Sequence, residues 1–157
     1  MIVVSDTSPL CYLLLIGEID ILPRLYGQVI IPTTVYQELC DPKSPSLIRD
    51  WLQQAPQWLQ IQAVDRSAAI TLDGLDPGEQ DAILLAEQQG AALIIIDHLL
   101  GRQVATARGL KMTGLLGVLD TAARQNLVDF PSAIARLRQT SFRASSTLIQ
   151  SLLQKYQ

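Results

Sequence analysis

Apolar and polar positions alternate in two ways along the chain, and together these patterns predict the fold. Short, largely apolar runs rich in branched side chains lie at residues 2–5, 28–31 and 92–96, as is typical of buried strands. Between and after them, apolar residues recur at helical spacing. Because strands alternate with helices, we expect a three-layer α/β/α sandwich with a mainly parallel central sheet.

Capping residues predict where the helices begin and end. Asp76, Pro77 and Glu79 form a complete helix start, and Gly90 is a typical stop. Ser8 is expected to cap a helix that runs to residue 16, and Thr34 to open a capping box. Further helices are expected near residues 19–26, 45–54, 99–108, 115–125, 132–139 and 145–155, with extended segments near 58–64 and 111–113.

Length and hydropathy limit the domain organisation and the location. A chain of 157 residues with evenly spread apolar positions is expected to form one domain, residues 1–157, with a helical tail from about residue 131. The N-terminus lacks a basic stretch, and the apolar run at 10–16 is too short to cross a bilayer. We therefore expect a cytoplasmic protein without a membrane segment.

The charge is unevenly distributed along the chain. Residues 1–97 hold four Lys/Arg and thirteen Asp/Glu, a net charge of 4 − 13 = −9, whereas residues 98–157 hold eight and two, a net charge of 8 − 2 = +6. An acidic site beside a basic, substrate-holding surface would produce this asymmetry. Ordinary solvated helices that carry arginine would produce it equally well.

Four acidic residues stand where a parallel sheet places its chemistry. Asp6 and Asp97 follow two predicted strands, Glu38 lies on the helix after a third, and Asp81 lies on the helix that leads into the strand before Asp97. Sites in open parallel sheets lie outside the carboxyl ends of the strands. Carboxylates gathered there repel one another unless a proton or a cation intervenes, and Mg²⁺ prefers oxygen ligands. The residues alone therefore predict a metal-assisted hydrolase.

Each of these acids also has a structural interpretation. Asp6 is an alternative helix cap, Glu38 taken alone is an ordinary surface residue, and Asp81 favours the helix dipole. Asp97 is the hardest to explain without function, because it ends a buried apolar run. We rank Glu79 below Asp81, because capping already accounts for it.

Other polar residues nearby are candidates for binding substrate. Thr7 and Ser8 could hold a phosphate oxygen, although capping explains Ser8 as well. Arg102 could meet a substrate phosphate, pair with a carboxylate of the site, or simply lie at the surface. His98 is the single histidine, and we assign it no catalytic role.

Four ordered motifs resemble those of PIN-domain nucleases. They read DTSPL at 6–10, VYQEL at 35–39, LDPGEQDAI at 75–83, and IIID at 94–97 followed by GRQVA at 101–105. The tail, with FRAS at 142–145, resembles one branch of PIN-like proteins often found as toxins of VapBC-like toxin–antitoxin pairs. A departure is His98, which stands where many members carry a further acid.

The resemblance implies more than the residues do by themselves. It implies a PIN-like sandwich and a Mg²⁺- or Mn²⁺-dependent endoribonuclease that cleaves single-stranded RNA. It further implies Asp6, Glu38, Asp81 and Asp97 as metal-holding residues, a small antitoxin partner and a homodimer.

Two other functions compete with this one. A non-catalytic RNA- or protein-binding module on a PIN-like scaffold would suit His98 and the basic C-terminal region. A phosphatase with Asp6 as nucleophile is disfavoured, because such enzymes often carry a second acid two residues later, where this chain has Ser8.

Overall fold

The structure is a computed structural model that describes residues 1–66 and 72–157. Its sheet has five strands, all parallel, in the order β3-β2-β1-β4-β5. The strands are β1 (Val3–Ser5), β2 (Val29–Pro32), β3 (Leu59–Gln62), β4 (Leu93–Ile95) and β5 (Met112–Thr113). Strand β1 is the middle of the sheet, and β4 is an interior strand beside it.

Helices cover both faces of this sheet. They are α1 (Thr7–Leu15), α2 (Ile21–Tyr26), α3 (Thr33–Leu39), α4 (Ser46–Gln53), α5 (Pro77–Gln89), α6 (Leu99–Ala107), α7 (Leu115–Arg124), α8 (Phe130–Leu137) and α9 (Ser146–Gln154). Strand alternation separates two cores. Val3 and Ile95 pack into the larger core, with residues of α1–α4 and α7–α9, and Val4 and Ile94 pack into the smaller one, with residues of α5 and α6. The predicted three-layer sandwich is confirmed.

Helix starts were predicted with mixed success. The start at Asp76 is confirmed: its side chain accepts from the Glu79 N–H, Glu79 reaches back, and Gly90 ends the helix in the left-handed region. The cap at Ser8 is wrong, because α1 already begins at Thr7 and Asp6 occupies the N-cap position. The capping box at Thr34 is also wrong, since α3 starts at Thr33 and has no side-chain cap.

The topology determines where a site can form. Because all strands run in the same direction, the carboxyl ends of β1, β2, β4 and β5 lie at one edge of the sheet. Across residues 1–66 and 72–157, none of the helices is both long enough and apolar enough to cross a membrane.

Candidate active site

Asp6 lies at the centre of the carboxyl-end edge. Its backbone N–H donates to the Ile95 carbonyl at 2.9 Å, so Asp6 extends the pairing of β1 with β4. The residue is 5% exposed, and its side chain makes no capping hydrogen bond to α1. Its Oδ1 is buried and has no hydrogen-bond partner among the described residues. An acid buried in this way is costly unless a proton or a cation balances its charge.

The surroundings of Asp6 make its charged form unfavourable. Desolvation is the main cause, and it raises the pKa of Asp6 from 3.8 to about 7. The negative charges of Asp76, Glu79 and Glu38 raise this pKa further, while a hydrogen bond from the Thr7 backbone lowers it. These acids therefore act on one another electrostatically, as expected of a cluster that a cation could neutralise.

Glu38 reaches this cluster from α3. The Thr7 hydroxyl donates to its Oε2, which joins the carboxylate to the residue that follows Asp6. Gly78 leaves the space that the carboxylate fills, because a Cβ at Gly78 would clash with both carboxylate oxygens of Glu38. Desolvation raises the pKa of Glu38, and the charges of Asp76 and Asp81 add to this effect.

Asp81 is the most deeply buried of the predicted site acids, at 2% exposure. The Thr34 hydroxyl donates to its Oδ2, and Nη2 of Arg66 donates to the same oxygen at 2.5 Å. The Arg66 side chain itself is 60% exposed. The other oxygen, Oδ1, is buried and has no partner among the described residues. One oxygen of Asp81 is thus paired with the Arg66 guanidinium, and the other could bind a metal ion.

Glu79 has two roles in the structure. Its Oε1 accepts from the Asp76 N–H at 3.4 Å, which completes the capping box. Its Oε2 lies 2.8 Å from Nδ1 of His98, an ion-pair distance without hydrogen-bond geometry. A Cβ at Gly101 would lie 3.0 Å from this oxygen, so glycine there leaves room for the carboxylate. Capping therefore explains one oxygen of Glu79 and leaves the other facing the site.

Asp97 follows β4 and contacts the start of α7. Its Oδ1 accepts the Leu115 N–H at 2.8 Å, at the start of α7, and its Oδ2 is buried without a partner among the described residues. Desolvation raises the pKa of Asp97, while the Leu115 hydrogen bond and the Arg102 charge lower it. Arg102, in turn, donates from Nε to the Met112 sulfur at 3.4 Å.

Different groups influence the predicted acids. The charge of Glu38 acts on Asp6 and that of Asp81 acts on Glu38, whereas Leu115 and Arg102 act on Asp97. In the part of the chain that the structure describes, no three His, Cys, Asp or Glu residues are close enough to form a ready metal site. The donor chemistry nevertheless fits a hard divalent cation, because carboxylate oxygens of Asp6, Asp81 and Asp97 are buried and unpartnered.

Several residues of the site were not anticipated from the sequence. Thr34 lies four residues before Glu38 and thus one helical turn away on the same face, a spacing that could have identified it. Arg66 follows β3 in an irregular segment and carries no sequence signal. The Thr7 hydroxyl, predicted to bind substrate, donates to Glu38, and Ser8 lies half-buried inside α1; substrate binding by either residue stays a prediction.

Comparison with known proteins agrees with this architecture. The model of DUF3368, a PIN domain family, matches residues 2–157. A solved PilT N-terminus domain protein from the hyperthermophilic archaeon Sulfolobus solfataricus P2 is similar in fold, with a TM-score of 0.54 and 14% sequence identity over 92% of this chain and 100% of that one. Among curated proteins there is no match. Since the family model spans nearly the whole chain, the protein belongs to the PIN domain family.

Proposed function

We propose that this protein is a metal-dependent endoribonuclease that cleaves single-stranded RNA. PIN domains are generally nucleases and generally use divalent metal ions. The single observation that carries the proposal is the Asp6 carboxylate, which is buried and has an oxygen without a partner among the described residues. Desolvation, together with the charges of neighbouring acids, raises its pKa to about 7. Such a group is destabilising without a counter-charge, and enzymes place such groups where they bind a cation or move a proton.

The proposed ion is Mg²⁺ or Mn²⁺, held by Asp6, Glu38, Asp81 and Asp97. When bound, such an ion lowers the pKa of water and neutralises negative charge on a phosphodiester. Glu79 is a further candidate ligand, because its charge acts on Asp6 and its Oε2, which lies 2.8 Å from His98 Nδ1, accepts no hydrogen bond from the described residues.

The chain's own residues orient these carboxylates. Hydroxyls of Thr7 and Thr34 hold Glu38 and Asp81. The Leu115 N–H holds one oxygen of Asp97 and leaves the other free. Burial of the acids excludes water, which strengthens electrostatic interactions at the site. The positive charge of Arg102 favours the ionised form of Asp97, and in this proposal Arg102 also binds a substrate phosphate.

A comparison of isosteric variants tests the proposal. Asp6→Asn and Asp97→Asn should each lower RNA cleavage at least 100-fold in Mn²⁺ and weaken Mn²⁺ binding in calorimetry, because each removes a negative ligand oxygen. Asp50→Asn is the matched control, since Asp50 is exposed and lies on α4 outside the site. Cleavage that survives both variants, or that persists in EDTA, would falsify the assignment.

A second candidate is a non-catalytic RNA- or protein-binding module, and the Arg66–Asp81 ion pair favours it. A guanidinium already balances one of the buried acids, and the described acids are not assembled as a ready metal site. This candidate predicts salt-sensitive RNA binding without turnover, in Mn²⁺ and in EDTA alike.

The proposal extends to a biological role. We propose a cytoplasmic toxin of a toxin–antitoxin pair, a homodimer that binds a small antitoxin protein, on the basis of the tail motif at 142–145. Expression in a bacterial host should arrest growth, and Asp6→Asn should relieve the arrest. Growth that is unaffected by the wild-type chain would contradict this role.

A further inference from the structure

A groove opens beside Asp97, between the end of β5 and the C-terminal segment. Its volume is about 620 Å³, within the range of ligand sites. The floor includes Asp97, Thr113 and Gly114, and the outer wall is residues 142–152, which include the start of α9. The groove therefore continues the carboxyl-end edge of the sheet past the candidate active site.

The groove extends farther in one direction. A second, shallower pocket of about 540 Å³ lies against α6, and three residues line both cavities: Leu99, Arg102 and Met112. Two neighbouring pockets that share Arg102 and two apolar residues suit an elongated ligand better than a compact one.

The lining combines apolar surface with positive charge. Leu99 and Leu148 are large apolar side chains that are 68% and 44% exposed. Phe142 also lines the groove, and its ring meets that of Tyr12 edge to face at 5.3 Å between centroids. Arg143 donates to backbone carbonyls and pairs with no acidic side chain in residues 1–66 and 72–157. Nucleic-acid bases stack on apolar and aromatic surfaces, and arginine side chains donate hydrogen bonds to phosphates.

Cations outnumber acids in and beside the groove. Asp120 accepts from the Tyr156 hydroxyl at 2.5 Å and lies 3.6 Å from Arg124 and 3.5 Å from Lys155. Asp97 has Arg102 nearby. Four cations therefore stand against two acids: Arg102 and Arg143 line the groove, and Arg124 and Lys155 lie beside Asp120. The surplus is positive, in line with the charge of +6 across residues 98–157.

We infer that this groove binds single-stranded RNA next to the scissile phosphodiester, with Arg143 and Arg102 on phosphates and the Phe142–Leu148 wall against a base. The inference rests on the proposed function for its choice of substrate. A second copy of the chain is a poorer occupant, because a twofold contact would place equal positive surfaces against each other.

Two groove variants with matched controls test the inference. The probe is a ten-nucleotide single-stranded RNA labelled with fluorescein, and its anisotropy is measured in EDTA at 50 mM salt. Arg143→Glu should raise Kd at least tenfold, and Leu148→Trp, which fills the groove without changing charge, should raise it about tenfold. Arg138→Glu and Leu47→Trp, exposed residues of the same types outside the groove, should change Kd less than threefold.

Cleavage and metal binding distinguish a failure of the groove from a failure of the enzyme. If the groove binds RNA, the groove variants raise KM in Mn²⁺ and leave the Mn²⁺ affinity unchanged. If the groove variants bind RNA more weakly but the wild type does not cleave it, the result would support RNA binding in the groove and contradict the proposed nuclease activity. Normal cleavage with unchanged Kd in both groove variants, or no RNA binding by the wild type, would overturn the groove. So would a Leu148→Trp protein whose mass in light scattering changes while its RNA affinity does not.

Discussion

At the scale of single residues, the cost of burying Asp6 is the feature with the clearest consequence. A rise in pKa from 3.8 to about 7 corresponds to about 4 kcal/mol of destabilisation once the group is charged. The sign follows from proton linkage: the folded state holds this proton more tightly than the unfolded state, so stability falls as pH rises from about 4 to about 7. Above pH 7 the whole cost is present.

Asp6→Asn should therefore stabilise the protein when no divalent cation is present. In EDTA, urea denaturation should give the variant a higher free energy of unfolding than the wild type, by about 2 kcal/mol at pH 5.5 and about 4 kcal/mol at pH 8. Asp50→Asn, on an exposed residue, should show no such trend. Equal stabilities of Asp6→Asn and the wild type at pH 8 would contradict the burial argument.

The same residues show what sequence reasoning could reach at this scale. The positions of Asp6 and Asp97 at the ends of buried strands were predictable, because apolar runs and parallel topology determine them. The contributions of Glu79 and Arg66 to the candidate site were not predictable. Glu79 has a complete local explanation in its capping box, and only the packing of α6 through Gly101 shows that its second oxygen faces the site. Arg66 reaches Asp81 across fifteen residues, a distance that no local pattern encodes.

At the scale of elements, helices with strong local signals were predicted well and those with competing signals were not. Helix α5 begins and ends where its Asp, Pro and Gly residues predicted. Helix α1 begins earlier than Ser8 because Pro9 fits within the first turn and the chain turns directly out of β1. Thr34 hydrogen-bonds Asp81 rather than the backbone of α3, so a tertiary contact replaced the expected cap.

Helix α9 is the element whose stability depends most on its ends. It has nine residues and a single buried side chain, Ile149, and helices of this length are marginal without tertiary support. Ser145 caps its start, and just beyond its end Tyr156 donates to Asp120 and stacks on Phe130 at 4.8 Å between ring centroids. Desolvation and the bond to Asp120 raise the pKa of Tyr156 to about 12.

Tyr156→Phe should loosen α9 more than any other element. The variant leaves a carboxylate oxygen of Asp120 without its donor, and we expect a loss of about 1–3 kcal/mol. Hydrogen exchange measured by mass spectrometry should accelerate in peptides covering residues 146–154 and remain unchanged in α5. The control is Tyr26→Phe on α2, another partly buried tyrosine. Uniform acceleration across α5 and α9 would mean that the tail does not open on its own.

At the scale of the whole molecule, the two charge signs are concentrated in different parts of the chain. The acids that we propose hold the cation lie in the first 97 residues, and the arginines that line the groove lie in the last 60. The sequence showed this asymmetry but not its meaning, because ordinary basic helices would have given the same count. Only the folded chain shows that Arg102 and Arg143 line one groove and that Asp120 is already neutralised.

This arrangement predicts how RNA affinity responds to salt. Each phosphate neutralised on a single strand contributes about −0.7 to the slope of log K against log salt, so two arginines give a slope of about −1.4. Between 50 and 200 mM salt, Kd for the ten-nucleotide RNA should then rise about sevenfold for the wild type. Arg143→Gln should bring the slope to about −0.7, and the exposed control Arg138→Gln should leave it near −1.4. An unchanged slope in Arg143→Gln would show that this arginine contacts no phosphate. A slope much steeper than −1.4 in the wild type would place additional cations of residues 98–157 on the RNA, since the charge left after the groove arginines are counted is still positive.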